Sequence, residues 1–268
     1  MAEVTAKNPS GETTTDARQV NSSYHRQVAV LAELGCLTSS QLHTMLPAVL
    51  IPVGSTEQHG PHLPLDTDTR IATAVARDAA ARLAAQLPDA AHWLVAPAIA
   101  YGDSGEHQSF AGTISIGTQA LTTLLVEYGR SATCWAQRLV FVNGHGGNVT
   151  ALRQAVTRLR SEGRNVGWCP CAANDADAHA GHTETSVLLH LSPADVRTDR
   201  LRAGNGAPLP ELLPSMRRGG VAAVSEAGVL GDPTTATAAE GERILAEMVD
   251  GCVRRIVHWA PGADGMLT

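Results

Sequence analysis

The chain has 268 residues, 44% of them hydrophobic and 17% charged, with a formal net charge of −6. That size and composition suit a globular domain with a substantial core and exclude a disordered chain. The mildly acidic balance lacks the basic footprint that nucleic acid or an anionic membrane requires, and no apolar run approaches the ~18 residues that span a bilayer. Residues 1–19 are polar without hydrophobic period and predict a flexible arm, ahead of one domain over 20–262 and a short tail at 263–268. Ala48 to Val53 is an apolar run ending in Gly54-Ser55, which predicts a buried strand followed by a loop. Ile71 to Leu87 is Ala-rich with helical spacing, and Trp93 to Ala96 predicts a second strand. Gln119 to Gln137 predicts a helix, and Arg138 to Val142 a strand that runs into Asn143-Gly144-His145-Gly146-Gly147-Asn148. A helix over Val149 to Glu162 and a strand over Val166 to Cys171 follow. Helices then start at Thr183, running to His190 or beyond, and at Ala236, running to Val257.

Short strands alternating with longer helices imply an α/β fold with a mostly parallel central sheet and helices on both faces. Ligands in such sheets gather beyond the C-terminal ends of the strands. The polar clusters at 54–68 and 143–148 both directly follow strands. No basic segment followed by an apolar run marks a secretory signal, and the five cysteines are odd in number and scattered, so reduced thiols in a cytoplasm are expected. Cys169 and Cys171 sit in an apolar run and read as structural residues of a strand rather than ligands.

Four clusters carry candidate chemistry. The first, over 54–68, gathers Glu57, His59, His62, Asp66 and Asp68 in a Gly- and Pro-rich loop. Such groups are costly to collect for packing alone, and mixed oxygen and imidazole donors suit Zn, Fe(II) or Mn. Asp66 reads better as a helix cap. In the second, His145 lies between glycines with no neighbouring wall to pack against, which leaves a ligand role and an ordinary loop role both open. A phosphate cradle finds little support there, because the P-loop and dinucleotide glycine patterns are absent. The third cluster holds His179, His182 and Glu184 at a helix start, where an acid also complements the helix dipole. The fourth holds Glu106 and His107; His107 either supports a site or belongs to a plain loop. No H-E-x-x-H, G-x-S-x-G or C-x-x-C is present.

The string GSTEQHGPHLPLDTD, followed by VNGHGGN and HAGHTETS, resembles the creatininase family over about residues 45–255. The chain is similar in particular to the mycofactocin-system branch of that family, through NSSYHRQV, APAIAYGDSGEHQSFAGTISIGT, GWCPC, DAHAGHTETSVLLHLSPADVRTDR and RRGGVAAVSEAGVLGDPTTATAAEG. This resemblance implies a creatininase-like α/β hydrolase with two adjacent divalent metal ions per subunit. Glu57 and His145 would hold one ion, His59 the other, and Asp68 would bridge them. Gly147 stands where creatininase has a glutamate ligand, and Glu184 is the implied substitute. His179 would move protons at the scissile amide. The implied substrate is a modified precursor peptide, cut to release its C-terminal decarboxylated, crosslinked Val-Tyr unit. A homo-oligomer, such as a hexamer or another closed ring, is implied as well. The alternatives are another amidohydrolase of the family, acting on creatinine or a formamide, and a catalytically silent metal-binding protein. Ala178 and Gly147 depart from the creatininase pattern and argue against creatinine.

Overall fold

Four short apolar runs pair side by side, all parallel, in the order β2-β1-β3-β4. They are β1 (Ala48–Val53), β2 (Trp93–Val95), β3 (Arg138–Asn143) and β4 (Val166–Pro170). The structure, a computed structural model, describes residues 33–87 and 92–268. The expected arm at 1–19 and the stretch NSSYHRQV lie outside those residues. Ala48 pairs with Trp93 on one side and Arg138 on the other, and Leu139 pairs with Val166. The helices are α1 (Ser39–His43), α2 (Thr67–Gln86), α3 (Gly117–Ala132), α4 (Val149–Ser161), α5 (His182–Leu191), α6 (Leu209–Gly219) and α7 (Ala238–His258).

The inner strands are apolar on both faces because helices cover both. Ala48, Leu50, Val140, Val142 and Cys169 pack with α2, α5 and α7. The alternate residues Val49, Ile51, Val53, Leu139, Phe141 and Trp168 pack with α3 and α4. The period of two along each strand thus builds two separate cores. With few aromatics available, Ala and Leu pack the helices close to the sheet; α2 alone buries Ala72, Ala76, Ala79 and Ala80. Trp168 and Phe141 are the largest fully buried side chains.

The expected α/β architecture is what the structure shows. α2 begins at Thr67, before the expected start at Ile71, because its polar first turn carries no apolar period. α6 was hidden from the pattern by Pro208, Pro210 and Pro214, the last of them inside the helix. Asp66 does not cap α2 as expected: its side chain makes no cap hydrogen bond and instead accepts from Arg70 Nε at 2.8 Å. Residues 263–268, expected as a tail, lie against β4. Leu267 is fully buried, and its N–H donates to Trp168 O at 2.8 Å. The loops that follow all four strands meet at the C-terminal edge of the sheet, and they carry the polar clusters described above.

Candidate metal and active site

Glu57 lies in the loop after β1 with its side chain fully buried, and neither carboxylate oxygen accepts a hydrogen bond. A bare carboxylate in the interior is unfavourable unless something positive or polar meets it. The groups around it are the buried Ser104 hydroxyl, which favours the ionised carboxylate, and three imidazoles: His145 Nε2 at 3.2 Å from Oε2, with His107 Nε2 at 3.5 Å and His179 Nδ1 at 3.6 Å from Oε1. Burial pushes the Glu57 carboxyl up to about 7, although His145 pulls the other way.

Asp68, in the first turn of α2, points inward rather than capping the helix. Its Oδ2 accepts from Ser55 Oγ at 2.8 Å and faces His145 Nδ1 at 3.1 Å, while Oδ1 faces His59 Nε2 at 3.0 Å. Burial alone would raise Asp68, but His59 and His145 override it and hold the carboxyl well below its usual range. Nδ1 of His59 contacts Glu57 O at 3.1 Å, which aims Nε2 at both Asp68 and Glu184 Oε2, the latter at 3.7 Å. Glu184 sits in the first turn of α5, where Oε2 also accepts from Ala180 N–H at 2.6 Å. Burial raises it to about 7.

Asp68 therefore belongs to two sets of donors, Glu57–Asp68–His145 and His59–Asp68–Glu184, each with its atoms within 4.8 Å of one another. Glu57, His59 and His179 meet the same limit. Mixed carboxylate and imidazole donors with orphaned buried oxygens fit a divalent cation such as Zn, Fe(II) or Mn. All five residues predicted as ligands are thus brought together. His179 is placed beside them, between His59 and His107, with ring centroids 4.4 Å and 4.3 Å away. His182 is elsewhere: its Nδ1 contacts Thr235 Oγ1 at 2.8 Å. His62 meets Thr185 Oγ1 at 2.9 Å, outside the cluster. Sequence reasoning did not assign roles to Ser55, Gln58 or Asp103, whose O meets His145 Nε2 at 2.9 Å. Neutral and backbone groups carry no ligand signal, so only their position relative to Asp68 and the histidines could have marked them.

The electrostatics predict a pH dependence. Burial alone would lower both imidazoles, but Asp68 overrides it at His59, and Glu57 with Asp68 at His145, so both rise to about 10. Without a cation, protons hold these rings to Asp68. The stabilisation they give the metal-free protein is full below their ordinary value of 6.5 and is lost as pH rises through 10. Glu57 and Glu184 act in the same direction, since a buried carboxyl raised to about 7 favours the fold only while protonated. A bound cation must displace those protons. Zinc affinity is therefore expected to rise with pH until the pH passes about 10, and zinc binding at pH 7 to release protons. Calorimetry in two buffers of different ionisation enthalpy measures that release, and its absence would show neutral imidazoles in the metal-free protein.

The sequence model of the creatininase family, described as creatinine amidohydrolase, matches residues 37–256. The chain belongs to the creatininase family. The mycofactocin precursor peptide peptidase of Mycobacterium tuberculosis (strain ATCC 25618 / H37Rv) is 76% identical over 251 residues, covering 93% of this chain and all of the relative. Its counterpart in Mycobacterium ulcerans (strain Agy99) is 72% identical over 250 residues, again covering 93% of this chain and all of the relative. A solved structure titled "Creatininase Mn" superposes with a TM-score of 0.71 at 27% identity, over 86% of this chain and 99% of that one. Within this creatininase fold Gly147 is enforced by crowding: a Cβ there would lie 2.1 Å from Asp103 O and 2.5 Å from His145 Nε2. No side chain fits at 147 in this backbone, and Glu184 is a carboxylate that faces His59 Nε2, 3.7 Å away.

Proposed function

We propose that this chain is a metal-dependent creatininase-family peptidase that cleaves the modified mycofactocin precursor peptide and releases its C-terminal decarboxylated, crosslinked Val-Tyr unit. The 76% identity to a full-length relative named for that activity supports the substrate. The observation that carries the chemistry is Asp68 shared by two donor sets beside a carboxylate with no hydrogen-bond partner. Two divalent cations per subunit, Zn, Fe(II) or Mn, would be held by Glu57, Asp68 and His145 and by His59, Asp68 and Glu184. When bound, such cations supply Lewis acidity that polarises an amide carbonyl and makes water nucleophilic near neutral pH.

His179 moves the proton. Its Nε2–H donates to Gln58 O at 2.8 Å, which leaves Nδ1 as the acceptor on the side of Glu57. Burial, reinforced by His59 and His107, holds this imidazole well below its usual pKa and so neutral. Nδ1 can then take a proton from the attacking water and return it to the leaving amine, while Gln58 O steadies the ring throughout. A cavity of about 560 Å³ opens beside Gln58 between Leu65, Phe110, Arg200 and Arg202, and it offers room for a peptide beyond the scissile bond. Residues 20–262 would act as one catalytic domain, in a cytoplasmic homo-oligomer such as a hexamer or another closed ring. Among the described residues, no helix is long and apolar enough to cross a membrane.

His179→Ala is expected to bind both cations and to turn over at least about tenfold more slowly, since a proton carrier rather than a ligand is lost. Metal analysis beside steady-state rates checks this. A halved metal content would instead make His179 a ligand, within the set it forms with Glu57 and His59. The substrate itself is tested by mass spectrometry of the modified precursor peptide incubated with the protein and Zn(II) or Fe(II), with and without chelator. Release of the Val-Tyr unit only in the metal-loaded reaction is expected. An intact peptide alongside turnover of creatinine or a formamide would move the assignment to another amidohydrolase.

A further inference from the structure

Glu57 has two oxygens, and the proposed centre needs one of them directed at the cation beside His145. Oε2 is the oxygen beside His145, 3.2 Å from its Nε2. Oε1 points the other way, toward His107, which is itself buried to 3% exposure. Oε1 also lies 3.6 Å from His179 Nδ1, which carries no hydrogen, so the imidazole that can donate to it depends on which nitrogen of His107 carries the proton, and Gln58 decides that. Gln58 Oε1 accepts from Gly60 N–H at 2.8 Å, which identifies the other end of the amide as the donor. One Nε2 hydrogen goes to Gly228 O at 3.0 Å, and the other faces His107 Nδ1 at 2.8 Å. His179 Nε2 lies 3.1 Å from the same amide nitrogen but cannot accept, because its own hydrogen goes to Gln58 O. Nδ1 of His107 is therefore the acceptor and Nε2 bears the hydrogen. Glu57 Oε1 lies 3.5 Å from that nitrogen and has no hydrogen bond of its own. The amide is locked from behind as well: a Cβ on Gly228, which has φ +74°, would lie 2.0 Å from Gln58 Oε1.

We propose that His107 and Gln58 are positioning residues of the metal centre: Gln58 sets the His107 tautomer, and His107 Nε2–H engages Glu57 Oε1 so that Oε2 is the ligating oxygen. His107 is not a ligand in this arrangement, because its one lone pair faces Gln58. The inference rests on Glu57 being a ligand, and a partner that orients a ligating carboxylate typically contributes 10–100-fold in metal affinity.

The test is zinc affinity and stoichiometry, measured by competition with a chromophoric chelator on the full chain. His107→Leu fills the space without a donor, whereas His107→Gln keeps an N–H. Gln58→Glu keeps the size of the amide but cannot donate to His107. His107→Leu and Gln58→Glu are each expected to weaken one zinc about 10–100-fold, with the saturating stoichiometry unchanged. His107→Gln is expected to recover most of the loss. Wild-type affinity in His107→Leu overturns the proposal, and so does an equal loss in His107→Leu and His107→Gln, which would indicate packing alone. One zinc lost at saturation in both would make His107 a ligand and overturn it too. Wild-type protein that takes up no zinc would overturn the metal centre and this proposal with it, whereas normal wild-type uptake beside an unaffected His107→Leu overturns this proposal only.

Discussion

Asp68→Asn is expected to abolish uptake of both cations and nearly all activity, the largest effect of any single change at this site. Asp68 is the one carboxylate common to the two donor sets, and its oxygens are divided between them, Oδ1 toward His59 and Oδ2 toward His145. An amide offers one weak oxygen donor and turns an N–H toward one of the imidazoles. The metal-free fold also suffers, because Asp68 helps to counter both raised histidines, as the largest such group at His59 and beside Glu57 at His145. Removing one partner of such a buried pair typically costs about 3–5 kcal/mol. On the chemical side, each ~1.4 kcal/mol of lost transition-state stabilisation is a tenfold loss in rate, and a missing Lewis acid removes several kcal/mol. Elemental analysis, thermal unfolding and turnover measured together check this. An Asn variant that retains both cations would show that Asp68 is an electrostatic neighbour and not a ligand. Glu57→Gln is the useful comparison, since it should lose only the cation on the His145 side.

Glu184→Gln should lose one cation and most activity while the fold survives. Oε2 of Glu184 has two relations in the structure: it accepts from Ala180 N–H at 2.6 Å and faces His59 Nε2 at 3.7 Å. Glutamine keeps an oxygen for the first and gives up the charge needed for the second. The two relations therefore separate. If the side chain served only the start of α5, the loss would be confined to its favourable interaction with the helix dipole, about 0.3–1 kcal/mol of stability at an exposed site. If it is a ligand, zinc stoichiometry falls by one while the melting temperature of the metal-free protein moves little. His182 is set aside as the substitute ligand by its contact with Thr235 Oγ1, so His182→Ala should keep both cations. Two cations in Glu184→Gln and one in His182→Ala would reverse the assignment.

The residues legible in the sequence were those whose chemistry is expensive to bury. Carboxylates and imidazoles after an apolar strand signalled a site at Glu57, His59 and Asp68, and all three are buried in the structure. The strands were legible for the complementary reason, since both faces of β1 and β3 meet helices and their runs are almost wholly apolar. Gln58 was not legible, because a neutral amide between an acid and a base looks like any loop residue. Its meaning comes from Gly228 O, 170 residues away, and from His107, 49 residues away. His107 could not be distinguished from a loop histidine for the same reason. Asp66 was misread because local spacing suggested a cap, whereas the nearby Arg70 side chain competes for the carboxylate. α6 was missed because prolines at its first turn and interior suppress every local helix signal, while Leu212 still packs against Val221 and Leu230.

The candidate donors arrive from the loop after β1, the first turn of α2, the loop after β3 and the first turn of α5, and the nearby Gln58 and His179 are 121 residues apart. No short stretch of the chain contains a complete candidate donor set, since His145 and Glu184 each join partners from far upstream. Affinity at the proposed centre would exist only after the parallel strands have docked and α5 has settled against α7. In such topologies the long-range pairings form slowly, because loop closure must precede the contacts that reward it. Zinc capture during refolding would therefore trail the appearance of helix and act as a clock for the final assembly step. The bound ions would also tie together segments that the backbone alone joins loosely. Amide exchange in the loops after β1 and β3 should slow together when zinc is added, as one cooperative unit rather than loop by loop.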